Sequence, residues 1–260
     1  MHLQLENKVV LITGGAKGIG AAIAYASAQE GAVPIVIDRD SEAGRKIEQE
    51  LISRGVNGKW IEAELSDTES SRHAVEAVVE NYGRIDALVN NAGVNDRVGL
   101  EQGSPREFRL SLEKNLFHYF DMAHFCLPYL KKSRGAIVNI ASKTAITGQG
   151  GTSGYASAKG AVLALTREWA AELLPYGIRV NAIVPAEVMT PLYRQWLSSF
   201  PDPEEKLRKI LSKIPLDARM TEPAEIAGVA VFLLSGKAAH ITGQHWFVDG
   251  GYVHLDRALT

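Results

Sequence analysis

The sequence predicts an α/β fold in which a parallel sheet of about seven strands is covered by helices on both faces. Short apolar runs alternate with longer stretches of helical periodicity along the whole chain, which is typical of strands joined by helical crossovers. The runs are continuously apolar, as in VVLI, PIVI and AIVNI. Strands of a parallel sheet have this pattern because both of their faces are buried.

The alternation gives seven predicted strands and six predicted helices, with no internal repeat and no low-complexity linker. The strands are predicted at Val9–Thr13, Pro34–Asp38, Lys59–Ala63, Ala87–Asn90, Ala136–Ile140, Arg179–Val184 and Gln244–Val248. The helices are predicted at Ile19–Glu30, Glu42–Ser53, Thr68–Tyr82, Pro105–Lys131, Tyr155–Leu174 and Pro223–Leu234. We therefore expect one domain over residues 1–260.

One connection is long and irregular. Residues 186–221, between the sixth strand and the last helix, carry four prolines around two short helical pieces. Long connections in compact domains are usually functional, and this one follows the carboxyl end of a strand, where open α/β sheets bind ligands. The segment is predicted to be a mobile substrate lid, with partial disorder as the alternative.

The composition excludes several classes of protein. Hydrophobic residues make up 46% of the chain, and the net charge of −2 has no basic block that would indicate nucleic acid binding. The single cysteine, Cys126, excludes an internal disulfide, and no Cys/His cluster indicates a metal site. The first residues, MHLQLENKVV, lack a signal peptide's apolar region, and no run reaches transmembrane length. We expect a soluble cytoplasmic protein without nucleic acid or membrane partners.

The segment VVLITGGAKGIG, residues 9–20, predicts a dinucleotide site. It reads as a strand, a tight turn and the start of a helix. Gly14 allows the turn, Gly18 allows close approach of a pyrophosphate, and Gly20 allows close helix–strand packing. The free N–H groups of the helix N-terminus then face the phosphates. Together with Asp38 at the end of the second strand, the motif specifies a doubly wound fold of the Rossmann type.

Residues near Asp38 favour different coenzymes. Asp38 itself is the expected partner of the adenosine ribose 2′-hydroxyl and favours NAD, because it would repel a 2′-phosphate. Arg39 and Lys17 could each pair with that phosphate. If Asp38 can swing aside, both NAD and NADP are expected to bind.

Ser142, Tyr155 and Lys159 supply the predicted acid–base chemistry. Tyr155 and Lys159 are four residues apart in YASAK, so they share one helical face. A lysine ammonium, reinforced by the positive charge of an oxidised nicotinamide, should lower the tyrosine pKa from about 10. Tyr155 is therefore predicted as the general acid/base, tuned by Lys159, while Ser142 hydrogen-bonds the reacting oxygen. Each feature alone is common on helices and strand ends; the combination is what predicts catalysis.

Together these motifs resemble the short-chain dehydrogenase/reductase family over essentially the whole chain. The family pattern TGxxxGxG matches Thr13–Gly20, NNAG matches Asn90–Gly93, and VNAIVPAEVMTP and VDGGY are also similar to family segments. The resemblance implies that Asn115, in EKNLF, helps hold a water in a proton relay and completes a tetrad. It also implies that Lys159 binds the nicotinamide ribose. Glu64 stands where the family commonly has an aspartate beside the adenine.

The motifs and the resemblance give two sets of candidate binding residues. The cofactor set is Thr13, Gly14, Lys17, Gly18, Ile19, Gly20, Asp38, Arg39, Glu64, Leu65, Asn91, Ala92, Gly93, Tyr155, Lys159, Pro185, Val188 and Thr190. The substrate set is Asn95, Ser142, Thr144, Gln149, Tyr155, Glu187 and Trp196. No metal is expected, because the coenzyme is the electron acceptor.

Within the family, the chain is most similar to bacterial sugar dehydrogenases that act on L-fucose. The resemblance implies oxidation of an aldose at its anomeric carbon to the lactone. A 3-oxoacyl or other carbonyl reductase is the first alternative, and a non-catalytic dinucleotide-binding protein is the second. Relatives commonly form homotetramers through helices equivalent to Pro105–Lys131 and Tyr155–Leu174 and through the last strand region, so the resemblance implies a homotetramer. Apolar contacts could come from Phe117, Tyr119, Phe120, Leu163 and Trp169, although packing within the monomer core explains most of them equally well. The sequence leaves two alternatives for the C-terminal segment VHLDRALT, which either enters the pocket of a neighbouring subunit or stays with its own subunit.

Overall fold

The structure, a computed structural model, describes residues 2–255. Seven strands form one sheet in the order β3-β2-β1-β4-β5-β6-β7, and every neighbouring pair is parallel. The strands are β1 Val9–Thr13, β2 Val33–Asp38, β3 Lys59–Glu62, β4 Ala87–Asn90, β5 Ala136–Ile140, β6 Arg179–Pro185 and β7 His245–Val248. The predicted fold class is confirmed, and the strand ends differ from the predictions by no more than one residue.

Helices cover both faces of the sheet. The α-helices are α1 Gly18–Gln29, α2 Ser41–Ser53, α3 Thr68–Tyr82, α4 Pro105–Leu112, α5 His118–Ser133, α6 Ser153–Glu172, α7 Pro191–Leu197, α8 Pro203–Leu211 and α9 Pro223–Leu234. Two buried cores result. Side chains of α3, α5 and α6 pack on one face, and those of α1, α2 and α9 pack on the other.

Strand β1 shows why its apolar run is continuous. Val9 and Leu11 belong to the core beneath α3, α5 and α6, whereas Val10 and Ile12 belong to the opposite core. Successive side chains of a strand point to opposite faces, so a strand between two helical layers needs apolar residues at every position. β1 pairs with β2 on one side and β4 on the other, which creates a crevice at their carboxyl ends.

The predicted helix Pro105–Lys131 contains a wider turn. A π-helical turn, Glu113–Phe117, lies between α4 and α5, so the predicted stretch is helical throughout but locally widened, which its periodicity does not reveal. The wider turn brings the Asn115 side chain into the interior, where Oδ1 accepts from Val94 N at 2.7 Å and Nδ2 donates to Ser111 O at 2.9 Å. Single π turns inside α-helices often occur at functional sites.

No helix within residues 2–255 combines the length and apolarity needed to cross a bilayer. The segment VHLDRALT lies only partly inside the described residues, since residues 256–260 fall outside them.

Candidate active site

A cleft of about 550 Å³ opens at the carboxyl ends of β1, β4, β5 and β6 and gathers most of the predicted site. From the cofactor set it is lined by Gly14, Lys17, Gly18, Ile19, Asp38, Arg39, Glu64, Leu65, Asn91, Ala92, Gly93, Tyr155, Lys159, Pro185, Val188 and Thr190. From the substrate set, Asn95 and Ser142 also line the cleft.

The remaining predicted residues lie outside this lining, for different reasons. Thr13, Gly20 and Asn115 are buried behind it. Thr144 and Glu187 contact other site residues, as described below, and Gln149 is exposed. Trp196 packs edge-on against Tyr193, with 5.0 Å between ring centroids.

The glycine turn fits a dinucleotide phosphate. Gly14 has φ +60°, and a Cβ there would lie 2.8 Å from Ala92 Cα. A Cβ on Gly20 would lie 2.3 Å from Gly14 O. No side chain caps the N-terminus of α1, so its first N–H groups are available to an anion. The turn therefore keeps the space and the donors that a pyrophosphate requires.

Thr13 and Asn91 support this turn from below. Thr13 Oγ1 accepts hydrogen bonds from Asn91 N at 2.9 Å and Ala92 N at 3.1 Å. Asn91 Nδ2 in turn donates to Thr13 O and Gly14 O, both at 2.9 Å. These bonds join the ends of β1 and β4 across the crevice, so the Thr13 side chain positions the turn rather than lining the cleft.

At the adenine end of the cleft, the Asp38 carboxylate is held by two backbone groups. Oδ2 accepts from Ala16 N at 3.1 Å, and Oδ1 accepts from Asp40 N at 3.0 Å. The swing that dual coenzyme use requires would break both hydrogen bonds. Asp38 is thus more firmly held than its position at a strand end suggested.

The two cations near Asp38 are both paired with carboxylates. Lys17 Nζ lies 2.5 Å from Asp40 Oδ2, and Arg39 Nη1 lies 2.9 Å from Glu64 Oε2. Glu64, expected beside the adenine, therefore also neutralises Arg39. A 2′-phosphate would have to compete with these carboxylates for either cation.

Ser142 and Tyr155 face each other at the reacting end. Ser142 lies two residues beyond β5, and its Oγ accepts from Thr144 Oγ1 at 3.1 Å. Burial raises the pKa of Tyr155, and a hydrogen bond with Ser142 partly offsets this increase. Thr144, predicted to bind substrate, orients Ser142 through this hydrogen bond.

Lys159 is buried without a carboxylate partner among the described residues. Its Nζ donates to Tyr119 Oη at 2.7 Å and to Ile140 O at 2.8 Å. Burial lowers the pKa of Lys159 to about 7. The Nζ lies 5.7 Å from the centroid of the Tyr155 ring.

The expected lowering of the Tyr155 pKa is not present in the protein by itself. Burial disfavours the phenolate, and Lys159 directs two N–H groups at Tyr119 and Ile140 rather than at Tyr155. The pKa of Tyr155 is consequently raised instead of lowered. The lowering was predicted for Lys159 together with the positive charge of an oxidised nicotinamide, and the protein alone supplies only the first of these cations.

A second polar cluster lies directly beside Ser142. Lys143 forms an ion pair with Glu187, whose Oε2 accepts from Tyr193 Oη at 2.7 Å. The Lys143 ammonium also lies 4.0 Å from the centroid of the Tyr252 ring. We refer to these residues as the Lys143–Glu187–Tyr193 cluster. Lys143 and Tyr119 were absent from the predicted site; only the position of Lys143 next to Ser142 could have indicated it.

Comparison with known proteins agrees with this geometry. A family model described as enoyl-(acyl carrier protein) reductase matches residues 14–253. The L-fucose dehydrogenase of Bos taurus is 38% identical over 252 residues, covering 96% of this chain and 91% of its own. The 3-oxoacyl-[acyl-carrier-protein] reductase FabG of Thermotoga maritima is 38% identical over 254 residues, covering 96% and 100%.

Two solved structures are also similar. The crystal structure of Cj0485 dehydrogenase has a TM-score of 0.95 at 50% identity, covering 100% of this chain and 99% of its own. The aldohexose dehydrogenase of Thermoplasma acidophilum has a TM-score of 0.89 at 32% identity, covering 99% and 98%. The L-fucose dehydrogenase reported above is mammalian, whereas the sequence resemblance had indicated bacterial enzymes.

The fold and these relatives define an NAD(P)-dependent oxidoreductase that acts on CH–OH groups. The chain belongs to the short-chain dehydrogenase/reductase family, as its motifs had indicated. Within residues 2–255, no group of three or more His, Cys, Asp or Glu side chains is placed to hold a metal ion.

Proposed function

We propose that the protein oxidises an aldose, L-fucose or a stereochemically related sugar, at its anomeric carbon to the lactone. The observation that carries this proposal is the Lys143–Glu187–Tyr193 cluster. Lys143 follows Ser142 in the chain, and Tyr193, which donates a hydrogen bond to Glu187, lines the cleft. The substrate would therefore meet a carboxylate, an ammonium and a phenol beyond its reacting carbon.

Such a cluster fits a polyhydroxylated substrate better than an acyl chain. The side chains of Lys143 and Glu187 are only 9% and 15% exposed, and buried charges require hydrogen-bonding partners. Carboxylate oxygens and ammonium hydrogens have capacity for more than one bond, which sugar hydroxyls can occupy. A site built from such groups rejects analogues that lack the matching hydroxyl.

Two of the relatives support a sugar substrate, because their names specify L-fucose and aldohexose dehydrogenases. The FabG relative supports the alternative, a 3-oxoacyl or other carbonyl reductase, at similar identity. Identity alone therefore does not decide between them. The polar cluster is what favours the sugar.

The residues of the cleft supply the proton chemistry. NAD, when bound, supplies the hydride acceptor. Tyr155 takes the proton of the anomeric hydroxyl as general base, while Ser142 hydrogen-bonds the same oxygen. Lys159 and Asn115 pass that proton towards water. The aldose loses one hydride and one proton, and the carbon–oxygen single bond becomes the lactone carbonyl.

The adenine end favours NAD over NADP. Asp38 is held in place by two N–H groups, and Lys17 and Arg39 are each engaged by a carboxylate. NADP use requires one of these cations to leave its partner. We therefore propose NAD as the preferred coenzyme, with weaker use of NADP.

We propose that subunits associate through an apolar face of α5 and α6. Phe117 and Phe120 are 50% and 54% exposed and border a groove with Leu116, Ala161 and Leu165 between α5 and α6. This apolar face supports a homotetramer, which light scattering would test. Tyr119, Leu163 and Trp169, which could also have supplied such contacts, are buried in the core instead.

The 186–221 segment is proposed to close over substrate as a lid within one domain, residues 1–260. Its ends are joined by backbone hydrogen bonds from Thr221 N to Glu187 O at 2.9 Å and from Met189 N to Thr221 O at 3.2 Å. These bonds pin the base of the segment beside the cleft. A cytoplasmic location stays a prediction from the sequence.

The test is coenzyme reduction across aldoses, polyols and secondary alcohols, with NAD and NADP in parallel and 3-oxoacyl thioesters assayed in the reverse direction. Turnover of L-fucose or a related aldose, with the lactone as product, is expected. 1-Deoxy analogues, which lack the anomeric hydroxyl, serve as controls and should be inert. Activity confined to oxoacyl or other carbonyl substrates would contradict the proposal and favour the alternative.

A further inference from the structure

Tyr119 is placed to control the catalytic lysine. It is the second residue of α5, directly after the π turn, and it is fully buried. Its hydroxyl accepts a hydrogen bond from Lys159 Nζ at 2.7 Å and donates to Ile140 O at 2.8 Å. Lys159 Nζ donates to the same carbonyl at 2.8 Å. The three polar atoms thus form a closed triangle at the end of β5.

In this triangle, both hydrogen-bond acceptors of the Lys159 ammonium are neutral oxygens. The titratable groups that face it are Tyr119 and His118 from α5 and Tyr155 from α6. His118 is uncharged at neutral pH, because burial and Lys159 lower its pKa to about 4. Within the described residues no carboxylate pairs with Lys159. A buried ammonium in such surroundings depends strongly on each hydrogen-bond acceptor it has.

We propose that Tyr119 is a positioning residue of the catalytic centre, whose hydroxyl fixes the Lys159 ammonium so that its third N–H faces the coenzyme and Tyr155. The ammonium has three donors, and two are directed at Tyr119 and Ile140. This inference rests on the oxidoreductase activity of the family and does not depend on which alcohol is the substrate.

The first experiment is the Tyr119→Phe variant, which keeps the ring and removes one acceptor of Lys159. Hydrogen bonds to charged groups are worth enough for kcat/KM at neutral pH to fall roughly tenfold to a hundredfold. The pH profile should also narrow. The alkaline limb should move to lower pH, because the Lys159 ammonium is less stabilised. The acid limb should move to higher pH, because the Tyr155 phenolate is then also less stabilised.

Tyr129→Phe is the matched control, since it removes a hydroxyl from the same helix away from the triangle and should leave the profile unchanged. Coenzyme affinity and the melting temperature are measured for both variants. A uniform fall in kcat/KM at every pH, without movement of either limb, would indicate a merely structural role and overturn the proposal. Unchanged kinetics would overturn it as well.

A titration without substrate separates this inference from the proposed function. NMR of ¹³C-labelled lysine ε-carbons, with the Lys159 signal assigned from a Lys159→Met variant, reads the Lys159 pKa directly. It should be lower in Tyr119→Phe than in the wild type, even if no sugar is a substrate. An equal or higher pKa would refute the role of Tyr119. A Tyr119→Phe/Lys159→Met double variant should be no less active than Lys159→Met alone, because Tyr119 acts through Lys159.

Discussion

The two ends of the cleft use basic residues in opposite ways. At the adenine end the cations are exposed: the side chain of Lys17 is 58% exposed and that of Arg39 is 70% exposed, and each is paired with a carboxylate. At the reacting end the lysines are buried. Exposed pairs are screened and weak, so Lys17 and Arg39 can exchange partners at a small cost in free energy. The buried lysines of the reacting end cannot, because a buried charge that loses its partner is strongly destabilising.

Lys143 and Lys159 show a further difference within the reacting end. Both are buried, but Lys143 has Glu187 as a counterion, whereas Lys159 has, within residues 2–255, only the oxygens of Tyr119 and Ile140. Without a counterion, burial lowers the Lys159 pKa to about 7. A group that titrates near neutral pH suits proton transfer, whereas a paired charge suits the binding of a polar substrate.

The largest effect should come from Tyr155→Phe. It removes the general base and keeps the ring, so kcat should fall about a thousandfold or more, within the range for acid–base groups. Coenzyme affinity, measured by NADH fluorescence, should stay within about twofold because the adenine end is untouched. Turnover near the wild-type rate would remove Tyr155 from its proposed role.

Glu187→Gln should give the next largest effect. It leaves Lys143 buried without a counterion, and breaking a buried pair on one side costs about 3 kcal/mol of unfolding free energy. KM for the sugar should rise about tenfold while KM for NAD changes little, because a lost hydrogen-bonding group weakens binding at one end only.

The matched control for Glu187→Gln is a Lys143→Met/Glu187→Met double variant. Replacing both charges by apolar side chains should recover most of the lost stability but not the affinity for sugar. Denaturant unfolding and steady-state kinetics measure the two effects separately. A double variant that binds sugar as well as the wild type would exclude the cluster from the substrate site.

The features that could be predicted from the sequence are those encoded by local patterns and short motifs. The seven strands follow from short β-rich runs that alternate with helical stretches, and the glycine turn, Ser142 and the Tyr155–Lys159 pair lie at motif positions along one cleft. Such signals survive in sequence because each depends on a few adjacent residues.

Residues that act through distant contacts could not be identified in this way. Tyr119 lies in an apolar helical pattern that reads as core, and its bond to Lys159 joins residues 40 positions apart. Glu187 was predicted from its position in the lid, but its partner Lys143 lies 44 positions away. The raised pKa of Tyr155 in the protein alone could not be predicted either, because desolvation depends on tertiary burial that no local pattern encodes.

Lys159→Met should raise stability at the expense of activity. Because the folded pKa of about 7 lies below the usual 10.5, the unfolded chain binds more protons between these values, and wild-type stability rises with pH there. The variant should be more stable by a few kcal/mol at neutral pH, because one pKa unit corresponds to about 1.4 kcal/mol and the pKa of Lys159 falls from 10.5 to about 7. Its advantage should be largest below about pH 7 and vanish towards pH 10.5. An advantage independent of pH would show that folding does not lower the pKa of Lys159.

Glu64→Gln should give the smallest effect, at the exposed adenine end. It frees Arg39 to meet a 2′-phosphate, while the amide oxygen still accepts the Ser66 N–H that Glu64 Oε1 accepts at 3.1 Å. Exposed pairs contribute at most about 1 kcal/mol, so kcat/KM for NADP should rise no more than about fivefold relative to NAD.

The salt dependence of this small change identifies its cause. If Glu64 limits NADP use by engaging Arg39, the gain in Glu64→Gln should shrink as ionic strength rises, because exposed charges are screened. Asp40→Asn is the parallel variant for Lys17, and it retains the carbonyl oxygen that caps α2 through Ala43 N. A change of more than a hundredfold in either variant would mean that the adenine end is as tightly coupled as the reacting end. No change in either would leave Asp38, held by Ala16 N and Asp40 N, as the group that sets coenzyme preference.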